Sequence, residues 1–331
     1  MYNKGQTPQD WRDAIVAPIY KKGSKYDAGN YRPVSLTSTL CKINEHIICS
    51  CMMSHLDKCG ILDRDQHGFR KGLSTLTQLI SVVHDWADSI NRKGQTDVIF
   101  LDFSKAFDSV PHRRLLEKLR FYGICGKTNR LLGSLLQGRR QRVVINGTSS
   151  EWVPVKSGVP QGTVIGPILF LIYINDIRSG ISSKMRLFAD DSIIYREINS
   201  AYDHQCLRND LLLLQQWSHK WQMVFKLEKC FVMSITNKRS PSQFGYSMNN
   251  TTLAKVNSWT YLGAVIDDKL NWNAHCEQVR KSALRSLGVI QRTLHAAPWN
   301  ARKQLTKQLL GLKWNMQQLH GIPRQRGRLK H

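Results

Sequence analysis

The alternation of apolar and polar positions predicts short strands between medium-length helices, and two of the apolar runs end on carboxylates. Met185 to Tyr195 reads M-R-L-F-A-D-D-S-I-I-Y, with Leu187, Phe188 and Ala189 leading into Asp190 and Asp191 and Ile193, Ile194 and Tyr195 leading out. That is a strand, a turn and a strand, with both acids at the tip of a hairpin. Val98 to Leu101 is an unbroken apolar run that delivers Asp102 to the end of a buried strand. Helical spacing is read over Ser38–Leu56, Thr75–Ile90, Arg113–Tyr122, Thr128–Leu136, Leu207–Trp221 and His275–Leu294, and an apolar helix follows Gly166-Pro167. Extended segments flank a basic loop between Trp11 and Thr37, a hairpin runs from Gln141 to Val155 around Asn146-Gly147, and Lys229–Ile235 and a run from Tyr261 are strand-like. Gly311–His331 is basic, poorly periodic and expected to be loosely ordered.

The acids change the picture from topology to chemistry. Two adjacent carboxylates repel each other unless a positive charge faces them, and an acid at the rim of a buried strand is costly without a partner. A divalent cation shared by Asp102, Asp190 and Asp191 answers both demands, and hard Mg²⁺ prefers carboxylate oxygens. The plainer alternatives are a solvated Asp-Asp turn and an Asp102 bonded to local backbone amides. Asp108 is read as a cap on the helix that follows it. Gly158, Pro160 and Gly162 form a tight loop presenting Gln161, suited to a flat ligand such as a base pair or serving as a plain connector. Gly68 and Gly72 frame Phe69, Arg70 and Lys71. Lys21, Lys22, Lys25 and Arg32 ride the first hairpin, and Arg139, Arg140 and Arg142 form a basic tip on the later one, each group either phosphate-facing or solvated.

Composition narrows the partner. There are 48 Lys and Arg against 24 Asp and Glu in 331 residues, a formal net charge of +24 spread along the chain. Such a balance points to a polyanion, most often nucleic acid. The longest apolar run, Val164–Ile174, is too short to span a membrane, and no signal peptide is visible. Eight cysteines without Cys-x-x-Cys spacing fit reduced thiols. Cys51, His55 and Cys59 share one helical face, read as a buried face lined with thiols in preference to a Zn²⁺ site.

The blocks Y-R-P-V-S-L-T, Q-H-G-F-R-K-G, F-L-D-F-S-K-A-F-D-S-V-P-H, S-G-V-P-Q-G-T-V-I-G-P-I-L-F, F-A-D-D and Y-L-G follow one another in this chain. In that order they resemble the reverse transcriptase of a non-long-terminal-repeat, LINE-type retrotransposon of the jockey-like group, over roughly residues 8 to 300. The resemblance implies an α+β right-hand polymerase, with fingers over 1–95, palm over 96–112 and 156–268, fingers/palm helices and a hairpin between them, and a partial thumb with a basic tail over 269–331. It implies RNA-directed DNA synthesis, with Asp102, Asp190 and Asp191 holding two Mg²⁺ ions (Mn²⁺ also being possible) and Lys229 protonating the leaving pyrophosphate. Arg32 and either Lys21 or Lys22 would grip the triphosphate, Phe107 would exclude a ribose 2′-hydroxyl, and Gln161 with Gly162 would lie beside the nascent base pair. Arg70 would support the template or nucleotide, and Leu262 and Gly263 the primer.

The implied partners are an RNA template, a DNA primer and deoxynucleoside triphosphates, in the nucleus and cytoplasm, with endonuclease activity supplied elsewhere. Three departures from the family pattern carry expectations. Phe188 replaces a common Tyr, Lys226 replaces an amide whose loss would loosen the loop holding Lys229, and the family pattern stops near Ala301. An RNA-dependent RNA polymerase is the enzyme rival, disfavoured by Phe107, and a non-catalytic nucleic-acid-binding relic is the other.

Overall fold

The computed structural model describes residues 6–293 together with 298, 300, 303 and 304; the tail expected to be loose and the break in pattern past Ala301 fall almost entirely outside these residues. The organising element is the strand Gln95–Leu101, buried at every position. It is central in a five-stranded sheet whose order is Ala254–Lys255, Phe231–Thr236, Gln95–Leu101, Asp191–Glu197, Lys184–Phe188. All neighbouring pairs are antiparallel except the short Ala254–Lys255 edge.

Both faces of this sheet are covered, which explains why Val98–Leu101 of the central strand reads as a continuous apolar run without polar alternation. Ile99 and Leu101 join a large core with the helices Thr39–Lys58, His112–Phe121, Gly126–Leu136, Ile165–Ile174 and Ala201–Trp221. Val98 and Phe100 join a second core with Leu79, Val82 and Trp86 of the helix Thr75–Asn91 and with Tyr261, Ala264 and Ile266. Ile165–Ile174 is buried at every position except Pro167, so its apolar run belongs to the core; among the described residues no helix is long and apolar enough to cross a membrane.

A smaller basic sheet stands apart from the central one. Asp13–Tyr20 pairs antiparallel with Tyr31–Leu36 and parallel with Arg140–Ile145. The later hairpin differs from its sequence reading. Around Asn146-Gly147 the pairing is Ile145 with Thr148, while Val153–Pro154 returns to Gln141 and Arg140, leaving Trp152 outside the strands. Its arginines are not a tip: Arg139 is buried, Arg140 pairs with Asp13, and Arg140 and Arg142 lie over the Trp152 ring. The thiol face also differs, since Cys41 and Cys49 are buried while Cys51 and Cys59 are exposed, and His55 Nε2 bonds the Tyr122 carbonyl. Cys51 flanks the packed stripe of Ile48, Met52 and Leu56, and Cys59 is the C-cap beyond the last helical residue, Lys58.

The carboxylate hairpin is braced from behind by the loop after the first long helix. Leu187 N–H donates to Asp65 O at 3.0 Å and His67 N–H to Leu187 O at 2.9 Å. Buried Gln66 places its Oε1 2.9 Å from Ala189 N and 2.7 Å from Gly68 N, so one side-chain oxygen accepts from both backbones. Ala189 adopts φ +54°, uncommon for a residue with a Cβ, and Gln66 is the bond that holds it. Gly68 packs so closely that a Cβ would collide with the Ala189 nitrogen. Gly68→Ala is therefore expected to cost ~2 kcal/mol of stability, read by denaturant unfolding. An unchanged midpoint would show that the two loops are not in contact.

Candidate active site

Strand register builds the site. Leu101 pairs with Ser192 and Phe188 with Asp191, so one step beyond Leu101 the register carries Asp102 opposite Asp191, with Asp190 in the adjoining turn. Three carboxylates thus meet at one end of the sheet because the hairpin can pair with the buried strand in one register only, a one-residue slip turning its apolar side chains outward.

Their charges are strained against one another. Burial raises the Asp190 carboxyl above the ordinary value, the Asp102 charge adds to the rise, and a local backbone hydrogen bond, Arg32 and Lys21 oppose it. Burial, then Asp190, then Asp102 push the Asp191 carboxyl up to about 6, with Lys229 opposing. The ammonium of Lys229 lies 3.0 Å from Asp102 Oδ2 and already answers part of the negative charge. Three oxygen-donor acids, two of them raised by burial and by their neighbours' charge, with a cation drawn to the third, suit a hard divalent ion in charge and donor type. Among the described residues, however, no three His, Cys, Asp or Glu side chains converge closely enough to hold one ion.

The loop carrying Lys229 is closed, contrary to the expectation from Lys226. Lys226 N–H donates to Asp102 O at 2.8 Å and Lys229 N–H to Lys226 O at 2.8 Å. Backbone groups make both bonds, so the identity of the side chain at 226 does not decide them.

The basic sheet faces the acids through Arg32 and Lys21, whose charges reach Asp190; Lys22 is exposed in the adjoining loop. Phe107 stacks on Phe170 with ring centroids 4.4 Å apart and meets Phe69 edge-on at 6.3 Å. Gln161 hangs from the basic sheet by its carbonyl, which accepts from Ser35 N–H at 2.8 Å, and Gly162 packs beside Val34. Arg70 is turned to other partners: its guanidinium donates to Asp63 O at 2.9 Å and lies 3.7 Å from Asp57. Leu262 and Gly263 form the two-residue turn between Ser258–Tyr261 and Ala264–Asp267, and Leu262 packs on the second core.

Asp108 is not a helix cap. The next helix, His112–Phe121, has Pro111 at its N-cap, and Asp108 Oδ1 instead accepts from Gln161 Nε2 at 2.9 Å. Three supporting residues escaped the sequence reading: Asp108 in this role, Gln66 behind the hairpin, and buried Glu45. The Oε2 of Glu45 accepts from Val164 N–H at 2.8 Å at the start of the helix after the Gln161 loop. A buried Glu on the packed face of a helix was the available signal for Glu45.

The raised Asp191 value fixes a pH dependence. Its folded pKa, about 6, lies above the 3.8 of the unfolded chain, so the folded protein retains a proton that the unfolded chain has released between those values. Stability of the metal-free protein therefore falls as pH rises from about 4 to 6, and the cost is fully present at neutral pH. Asp191→Asn is expected to raise the melting temperature at pH 7 and flatten that slope. The gain should be at most ~1 kcal/mol, because Asp191, although crowded by protein atoms, keeps more than a third of its surface in contact with solvent, which screens its charge. A variant that melts lower at pH 7 would contradict the electrostatics.

The sequence profile described as "Reverse transcriptase (RNA-dependent DNA polymerase)" matches residues 19–266. The chain is 29% identical, over 84% of its length and 31% of the relative's, to the RNA-directed DNA polymerase from mobile element jockey of Drosophila melanogaster. It is also 29% identical, over 82% of its length and 31% of the relative's, to the probable RNA-directed DNA polymerase from transposon X-element of the same organism. It thus spans about a third of the length of these relatives. In fold it is similar to telomerase from Candida tropicalis solved with a fragment of telomeric RNA, at TM-score 0.56 and 11% identity, over 95% of this chain and 54% of that one. It is similar also to the apo telomerase truncated from its C-terminal domain, at TM-score 0.55 and 13% identity, over 80% of this chain and 55% of that one. The architecture is that of an α+β right-hand polymerase, and the chain belongs to the reverse transcriptase family.

Proposed function

We propose that the chain is the polymerase segment of a retrotransposon protein, an RNA-directed DNA polymerase that extends a DNA primer along an RNA template with deoxynucleoside triphosphates. The observation that carries this reading is the register that sets Asp102 opposite Asp191 at the end of the sheet, facing Arg32 and Lys21. Reverse transcriptases generally use divalent metal ions. Here Asp102, Asp190 and Asp191 would hold them, two Mg²⁺ with Mn²⁺ as a substitute. When bound, such ions lower the pKa of the primer hydroxyl and neutralise the leaving pyrophosphate.

The chain's own groups supply the rest. Arg32 with Lys21 or Lys22 grips the triphosphate, Phe107 bars the 2′-hydroxyl, and Gln161 and Gly162 line the nascent pair. Lys229, freed from Asp102, donates a proton to the departing pyrophosphate. Leu262 and Gly263 support the primer from their turn. Arg70 acts on the template side by fixing the Asp63 loop. In this reading residues 1–95 are fingers, 96–112 and 156–268 palm, and 269–331 partial thumb. The net charge of +24 suits phosphate contacts that weaken steeply with salt. Endonuclease activity comes from elsewhere, and the work is done in the nucleus and cytoplasm.

Primer extension on a poly-RNA template with Mg²⁺ tests the reading, with Asp190→Ala beside the unmodified chain. Extension by the chain and at least a ~10³-fold loss in the variant are expected. RNA binding without any extension by the unmodified chain would favour a non-catalytic relic. Sugar selection supplies a second measurement: Phe107→Val should admit ribonucleotides, and unchanged discrimination would remove Phe107 from that role.

A further inference from the structure

Two segments far apart in sequence are joined beside the candidate nucleotide site. Val159 N–H donates to Phe107 O at 2.7 Å and Gly158 N–H to Val110 O at 2.8 Å. Ser157 Oγ donates to Asp108 O at 3.0 Å, and His112 Nε2 lies 2.8 Å from Gly158 O. Gly158 has φ +95°, and a Cβ there would come within 2.8 Å of the Asp108 backbone, so only glycine permits this approach. Phe107 is fixed in turn by stacking on Phe170, and the Gln161 carbonyl by Ser35. The side chain of Gln161 donates from Nε2 to Asp108 Oδ1 at 2.9 Å.

That partner decides which end of the carboxamide is free. A carboxylate accepts hydrogen bonds and cannot donate them, so Asp108 takes the NH₂ end of Gln161. The carbonyl oxygen is left as the end available to a ligand. With either segment moved, the choice would be lost, because a free Gln presents donor or acceptor by a simple flip.

We propose that Asp108 is a positioning residue that fixes the Gln161 carboxamide with its acceptor oxygen toward the incoming nucleotide, making Phe107 and Gln161 one rigid selector. This rests on the polymerase reading above. The nucleotide group it would meet is a donor, a sugar hydroxyl or a base N–H, and a phosphate oxygen would be repelled. Asp108 touches no reacting atom, so its effect falls on nucleotide affinity and not on the chemical step.

The test is a cycle of Asp108→Ala, Gln161→Ala and the double variant in the full chain, assayed by primer extension at varied deoxynucleotide concentration and by thermal unfolding. Asp108→Ala should raise KM for the nucleotide about tenfold, the worth of one charge-assisted hydrogen bond, with kcat little changed. In the Gln161→Ala background the same change should add nothing. Gln161→Glu should bind nucleotide poorly beside Asp108, and adding Asp108→Asn, which can donate to the new carboxylate, should restore it. A tenfold loss that persists without Gln161, or a double exchange no better than Gln161→Glu alone, overturns the proposal. Melting separates this from the wider reading. If the unmodified chain does not extend primers, the polymerase reading fails, while non-additive melting shifts of the two alanine variants still support the pair and additive shifts overturn it.

Discussion

Like-charge repulsion at the end of a buried sheet is the constraint around which the rest of this molecule is arranged. Burial raises the Asp190 and Asp191 carboxyls, the Asp102 charge adds to both rises, and a local backbone hydrogen bond at Asp190 offsets only part of it. Relief comes from other elements: Lys229 from the short turn Leu227–Lys229, Arg32 and Lys21 from the basic sheet. An arrangement that gathers positive side chains toward acids it cannot neutralise internally is suited to admit cations and a polyanion together.

Holding those acids and their neighbours in place falls to side chains turned inward to backbone and side-chain partners. Gln66 accepts from Ala189 N–H and secures a left-handed residue at the hairpin turn, while Gly68 lets the supporting loop come close enough to do so. Glu45 reaches from a neighbouring helix to the first amides of Ile165–Ile174, fixing the helix on which Phe107 stacks through Phe170. Asp108 and the Gly158 contact join the segment carrying Phe107 to the loop carrying Gln161. The chemistry-bearing residues therefore rest on a second set whose function is geometric, and each is anchored by a bond between segments distant in sequence.

That distance explains what could be read from the chain. The hairpin, the buried strand and the long helices were legible because their patterns are local: Val98–Leu101 and Ile193–Tyr195 read as strands with no knowledge of partners. The approach of Asp102 to Asp190 and Asp191 was legible because apolar runs end on these acids. The later hairpin was half legible: Asn146-Gly147 marked the turn, but the pairing of Arg140 with Asp13 pulled the arginines to its base. Asp108 read as a cap because a helix follows, and only tertiary packing reveals Gln161 as its partner. The glycine frame of Arg70 carried little information by itself, because its acceptors, Asp63 O and Asp57, are set by the folding of the loop. Lys226 looked damaging because side-chain identity is visible in sequence and backbone hydrogen bonding is not.

The proposal most open to direct test is that Asp102 and the Asp190-Asp191 turn, set opposite each other by the strand register, would act together in holding cations. Mn²⁺ titration followed by electron paramagnetic resonance, on the unmodified chain and on Asp102→Asn, tests it without relying on catalysis. The account predicts binding by the unmodified chain and at least about tenfold weaker binding in the variant, since removing one carboxylate from a shared site costs every ion that it touches. Equal Mn²⁺ affinity in the two proteins would contradict it.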